Sequence, residues 1–252
     1  MIYFVSDIHL GAGSQEQSRF TEAAFCRWID QVSSDAEAIY LLGDIFDFWF
    51  EYRRVVPQGF TRTLGRLAEL TSRGVRVVLF TGNHDMWCYD YLTRECGIEI
   101  VREPQVVELR GKKIHLAHGD NMNIKGQPML RLMNSFFRSR LARRLFSALL
   151  HPDLALKFGR WWSGKSRKSH GGEVITPSHL GFLVDYAREH YAANGDTSAY
   201  IFGHMHYGYD LREGDLRVLF LSDWSTAEAQ YVAMDAENNL ELKTFMIDET
   251  VS

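Results

Sequence analysis

Five short blocks between residues 7 and 206 carry side chains that bind metal ions. They are Asp7-Ile8-His9, Gly43-Asp44-Ile45-Phe46-Asp47, Gly82-Asn83-His84-Asp85, His118-Gly119-Asp120 and Gly203-His204-Met205-His206. Carboxylate, imidazole and amide oxygen together suit Mn, Fe or Zn better than Ca, which prefers an all-oxygen shell. The candidate ligands Asp7, His9, Asp44, Asn83, His118, His204 and His206 exceed what one four- to six-coordinate ion needs. Two ions sharing a bridging carboxylate would use them all. Such a pair, about 3.5–4 Å apart, acidifies a water between the ions and clamps the entering and leaving oxygens of a phosphate.

Chemistry of this kind needs a scaffold that brings distant loops together. Strand-like runs, rich in β-branched and apolar residues, occur at Ile2–Val5, Ala38–Leu42, Val75–Phe80, Lys113–Ala117 and Ser198–Phe202. Each block begins within a residue or two of the end of one of these runs, where open α/β sheets collect their functional groups. The Asp-x-His and His-x-His spacings would let alternate side chains share one side of an extended backbone. Helical periodicity at Phe20–Val32 and Phe60–Ser72 lies between the strands, which predicts an α/β core with parallel central strands. After residue 206 the runs Leu216–Leu221, Ala229–Ala233 and Leu240–Ile247 read as an antiparallel end. Met129–Leu156 reads as inserted helix, with Leu130, Met133, Phe137, Leu141, Leu145 and Leu149 at helical spacing.

The 252 residues are 46% hydrophobic and 24% charged, which suits one compact domain (1–252) with a helical insertion at about 122–170. Cys26, Cys88 and Cys96 lack metal-type spacing and read as reduced, buried residues of a cytosolic protein. No signal peptide or membrane-spanning run is expected. The net charge of −4 hides a strong polarity. From Lys125 to Lys168 eleven basic residues face one acid, Asp153. A segment so polarised is expected to meet something anionic.

The order Asp-x-His, Gly-Asp-x-x-Asp, Gly-Asn-His-Asp, His-Gly-Asp, Gly-His-x-His resembles the calcineurin-like metallophosphoesterase family over residues 5–206. The resemblance implies a four-layer α/β/β/α sandwich. It implies one divalent ion held by Asp7, His9 and His206, a second held by Asn83, His118 and His204, and Asp44 as the bridge. Manganese is the expected metal. It implies hydrolysis by a water deprotonated between the ions, attacking phosphorus in line while His84 shares the developing charge or protonates the leaving oxygen. Asp85 would orient His84.

The substrate is read from the insert. Leu130, Met133, Phe136, Phe137, Leu141, Leu145 and Phe146 interleave with Arg131, Arg138, Arg140, Arg143 and Arg144, as in an interfacial helix or an acyl groove beside phosphates. Asp120, Arg160, Ser163, Lys165, Arg167 and Lys168 are the substrate-binding candidates, the basic ones suiting a diphosphate. With this insert the chain resembles a branch of the family that cleaves the diphosphate of a lipid-linked nucleotide. That implies a peripheral place on the cytoplasmic face of an inner membrane and an anionic membrane surface as partner. A phosphoesterase of soluble nucleotides is the alternative. Nucleic acid is not expected as a partner, because the basic residues alternate with large aliphatic ones rather than with exposed stacking aromatics. Phe46, Phe48, Trp49, Phe50, Tyr52 and Trp87 read as core or lid packing.

Overall fold

The computed structural model describes residues 1–122, 139–170 and 175–247, with the backbone alone at 140, 160 and 165–170. Two sheets are stacked. The first has the order β11-β10-β1-β2-β3-β4, with β1 Ile2–Val5, β2 Ala38–Leu42, β3 Arg76–Phe80, β4 Glu99–Val101, β10 Glu228–Met234 and β11 Leu240–Met246. The second has the order β5-β6-β7-β9-β8, with β5 Gln105–Leu109, β6 Lys112–Ala117, β7 Ala199–Phe202, β8 Tyr209–Glu213 and β9 Leu216–Phe220.

Strand alternation decides the layering. In the first sheet Ile2, Phe4, Tyr40, Leu42, Val78 and Phe80 face inward and meet Ile114, Leu116, Ile201 and Leu219 of the second. Their neighbours Tyr3, Val5, Ile39, Leu41, Val77 and Leu79 face outward onto Phe25, Trp28, Ile29, Leu67 and Leu70. Those come from helices α1 (Gln15–Val32) and α2 (Thr61–Ser72). On the far side Tyr200, Phe202, Val218 and Phe220 carry Leu183, Val184 and Ala187 of a later helix, Gly181–Asn194. Strands buried on both faces must be apolar throughout, which is why they read as unbroken hydrophobic runs. The result is the α/β/β/α sandwich.

Strands β1 to β4 are parallel, as are β6, β7 and β9. The tail departs from the expected antiparallel end. The β8–β9 and β10–β11 pairs are antiparallel, but β9 joins the second sheet parallel to β7 while β10 crosses to the first and pairs with β1. Strands β4, β5 and β8 and the helix Gly181–Asn194 carry too little apolar periodicity to be read from sequence; β4 has three residues, and β8 runs Tyr-Asp-Leu-Arg-Glu at a sheet edge.

The remaining helices are α3 (Tyr91–Cys96), α4 (Arg140–Leu149) and α5 (Pro152–His170), so the helix Gly181–Asn194 is α6. Helix α4 confirms the helical reading over its own span; the rest of the expected stretch from Met129 lies outside the described residues. Among the described residues no helix is long and apolar enough to cross a membrane.

Candidate metal centre

All five blocks lie where strands end. The chain leaves β1 at Ser6, and three backbone bonds then tie its loop to the loop after β2: Asp7 N to Gly43 O at 3.1 Å, His9 N to Asp44 O at 3.0 Å and Leu10 N to Ile45 O at 2.9 Å. Ile8 and Leu10 are buried and pin this loop to the core. The loops after β6 and β7 are joined by Gly203 N to His118 O at 3.0 Å.

The expected extended backbone at these loops is corrected. Asp7, His9, Asp44, His204 and His206 all have positive φ, between 50° and 69°. Left-handed backbone at non-glycine residues is costly and persists where surrounding bonds over-determine it. Here the bonds pass between the blocks: His204 N donates to Asp7 Oδ2 at 2.9 Å, and His84 N donates to Asp44 Oδ1 at 2.8 Å. The neighbouring glycine at 82 is required by close approach, since a Cβ there would lie 2.2 Å from Asp44 Oδ1.

Three groups of side chains have ligand atoms within 4.8 Å of one another: Asp7 with His9 and His206, Asp44 with His118 and His204, and His9 with Asp44 and His84. Asn83 Oδ1 joins the second group, 3.3 Å from His118 Nε2. His118 Nδ1 donates to Leu42 O at 2.9 Å, which turns its Nε2 into the site, 3.2 Å from Asp44 Oδ2. So all seven candidate ligands converge, in the two clusters that the family resemblance implies, with His84 beside them.

The cluster is electrostatically incomplete without a cation. Asp7 and Asp44 are buried. Asp7 Oδ1 has no aligned donor; it stands 3.3 Å from His206 Nε2 and 3.8 Å from His9 Nε2. A buried carboxylate needs an opposite charge. Burial pushes both carboxylates upward, and imidazolium overrides it. The nearby His206 holds Asp7 down at about 2, and His118 with His84 holds Asp44 well below the usual range. Conversely, burial would lower His206 and His118, but Asp7 raises His206 to about 9 and Asp44 holds His118 well above its ordinary value. His9 and His204 are pushed down by burial to about 3 and about 4. The buried carboxylates and imidazoles face one another closely, and the mixed donor set fits divalent ions.

Asp85 does not orient the His84 ring. It is fully buried and accepts from Gly82 N at 2.7 Å and Ile45 N at 2.8 Å, tying the second and third blocks together. Burial, then repulsion from Asp44, raises it to about 6. The His84 ring is held instead by Asp47, whose backbone carbonyl accepts from Nδ1 at 2.8 Å. Asp223, just past β9, was not singled out in the sequence; its Oδ2 lies 3.6 Å from His206 Nδ1. An acid immediately after an apolar strand was the available signal.

The insert borders this centre. Phe146 of α4 packs on Phe50 and Trp87, with ring centroids 4.9 and 5.7 Å apart, and Tyr52 Oη donates to Leu150 O at 3.0 Å. The aromatic run after Asp44 is therefore core and a platform for the insert. Arg143 stacks on Tyr89 at 3.7 Å, so it is spent on packing rather than offered to lipid. Helix α4 exposes Leu141, Leu145 and Leu149, and α5 exposes Leu154, Phe158, Trp161 and Trp162. Of the substrate-binding candidates, Asp120 lies next to the His118 loop and accepts from Asn121 Nδ2 at 2.7 Å. Ser163 is buried and donates to Asp47, contrary to its expected place facing a ligand. The side chains of Arg160, Lys165, Arg167 and Lys168 lie outside the described residues.

A family model described as calcineurin-like phosphoesterase matches residues 1–208. A UDP-2,3-diacylglucosamine hydrolase of Porphyromonas gingivalis (strain ATCC BAA-308 / W83) is 41% identical over 238 residues, covering 88% of this chain and 90% of that protein. A protein of the same name from Stutzerimonas stutzeri (strain A1501) is 31% identical over 168 residues, covering 66% and 65%. Another from Hahella chejuensis (strain KCTC 2396) is 25% identical over 241 residues and covers 93% of both chains.

Proposed function

The chain belongs to the calcineurin-like phosphoesterase family, and from that premise we propose that it hydrolyses the diphosphate of UDP-2,3-diacylglucosamine to UMP and 2,3-diacylglucosamine 1-phosphate. The observation that carries the reading is the 41% identity to a hydrolase of that name over nearly the whole length of both proteins, joined to the converged Asp–His cluster. It is a metal-dependent hydrolase.

In this reading Asp7, His9 and His206 would hold one ion and Asn83, His118 and His204 a second, with Asp44 available to both. Manganese is the proposed metal. Bound ions supply Lewis acidity toward water and phosphate. The protein's own groups do the rest. His84 directs Nε2 toward the centre, since Nδ1–H is committed to Asp47 O, so Nε2 is the atom positioned toward the leaving oxygen. Buried Asp85 keeps the loops in register.

The acyl chains are assigned to the apolar face of α4 and α5, and the diphosphate and an anionic membrane surface are the proposed partners of the basic segment at about 122–170. That segment acts as an insertion in a single domain, and the protein works at the cytoplasmic face of an inner membrane. The exposed apolar ridge supports this: Leu149 is 80% and Trp161 57% exposed, which an aqueous surface does not favour. Purified protein with Mn²⁺ is expected to release UMP from UDP-2,3-diacylglucosamine. No turnover of that compound, with activity on soluble nucleotide esters instead, would overturn the assignment.

A further inference from the structure

One face of α5 carries Ala155, Gly159 and Ser163, four residues apart and all buried. Small residues at helical spacing let a helix lie close against its neighbour. At Gly159 a Cβ would come within 2.4 Å of the Phe48 ring, so the helix rests directly on the loop that follows Asp44. One turn further on, Ser163 is 1% exposed, and its hydroxyl donates to Asp47 Oδ1 at 2.6 Å. Asp47 is itself buried and touches two imidazoles of the centre. Its carbonyl accepts from His84 Nδ1 at 2.8 Å, and its Oδ1 lies 4.0 Å from that atom and 3.7 Å from His9 Nδ1.

A carbonyl only accepts, so His84 Nδ1 must carry hydrogen; the acceptor is the Asp47 backbone, and the Asp47 carboxylate that Ser163 holds lies 4.0 Å from the same nitrogen. We propose that Ser163 is a positioning residue for His84: its bond to Asp47 lets α5 set the ring geometry and tautomer at the metal centre. The insert therefore contributes to the reaction geometry as well as to substrate capture. A buried charged hydrogen bond of this length holds its acceptor firmly, and small misplacements of a reacting group are costly in rate.

Only the kinetic arm of the test rests on the proposed substrate. Ser163→Ala is compared with the parent for turnover of UDP-2,3-diacylglucosamine with Mn²⁺. It is also compared in ¹⁵N-histidine spectra of the zinc-loaded protein, where a His84→Gln variant assigns the His84 signal. The expected result is a fall in kcat of about tenfold or more with KM unchanged, and a His84 signal that moves from a single Nδ1–H tautomer to a mixture. An unchanged His84 signal overturns the proposal whatever the kinetics. A raised KM with unchanged kcat also overturns it, placing Ser163 on the substrate instead. If the parent protein does not turn over the lipid nucleotide, the function assignment fails, while the spectra still decide the role of Ser163.

Discussion

At the scale of single residues, the centre is built by bonds that run between loops rather than within them. Asp85 shows this: each carboxylate oxygen takes one backbone N–H, from Gly82 and from Ile45. Asn at this position can present only one oxygen, and its NH₂ would confront a backbone donor. Asp85→Asn is expected to cost about 2–3 kcal/mol of stability, measured by urea unfolding. Gly82→Ala acts differently. Its Cβ would collide with Asp44 Oδ1, so bound metal and turnover should both be lost while the circular dichroism spectrum is kept. A Gly82→Ala variant with full metal content would contradict the placement of Asp44. The residue types were legible in the sequence, since an acid or histidine at every strand end is an uncommon pattern. The partner of each was not: Asp85 adjoins His84 in the chain, yet the ring is held by Asp47, because the turn at Gly82–Asp85 points the carboxylate back at its own backbone.

At the scale of elements, the strands β1, β2, β3, β6 and β7 lie within a residue of their predicted bounds, because full burial on two faces forces unbroken apolar runs. Short edge strands and α6 escaped notice because half-exposed elements carry mixed residues. The helical spacing predicts α4, but not how much of its apolar face is covered, because Leu141, Leu145, Phe146 and Leu149 lie on one arc of the helix. Phe146 packs inward, and Leu141, Leu145 and Leu149 are left outside. Replacing those three leucines by serine should leave the melting temperature unchanged. Co-sedimentation with phosphatidylglycerol vesicles should fall several-fold, following the lost apolar area. Unchanged vesicle binding would remove this ridge from the membrane reading.

At the scale of the whole molecule, the sandwich holds several buried ionisable groups whose charge must be settled on folding. Divalent ions that bind the folded centre alone should stabilise it. At about one hundred times the dissociation constant the gain is about 2.7 kcal/mol. For a chain of this size that corresponds to a rise in Tm of about 5–10 °C. Mn²⁺ should produce the rise, a chelator should reverse it, and His118→Ala should blunt it. A separate pH effect lies under α6. His115 is buried among Tyr186, His190, Tyr200 and Phe202, and its Nε2 pairs with Tyr186 Oη at 3.1 Å. Burial, then repulsion from His190, pushes it down from 6.5 to about 4. The unfolded chain therefore binds the proton more readily. The stability from neutral His115 is complete above about pH 6.5 and is lost as pH falls toward 4, a change of roughly 3 kcal/mol. Urea midpoints between pH 7 and 4.5 should drop less for His115→Phe than for the parent.

The order and spacing of Asp7, His9, Asp44, Asn83, His118, His204 and His206 were enough, by themselves, to announce the α/β core and a divalent-metal centre. Donor chemistry and strand burial are both written in residue type, and both repeat at fixed places along the chain. What tertiary structure alone decided is how those groups are oriented: the left-handed loops, the tie from Asp85 to the neighbouring backbone, and the reach of Ser163 across to Asp47. Such partners are separated by up to 197 positions, and only the packing of distant elements selects them, as α5 selects Ser163 for Asp47.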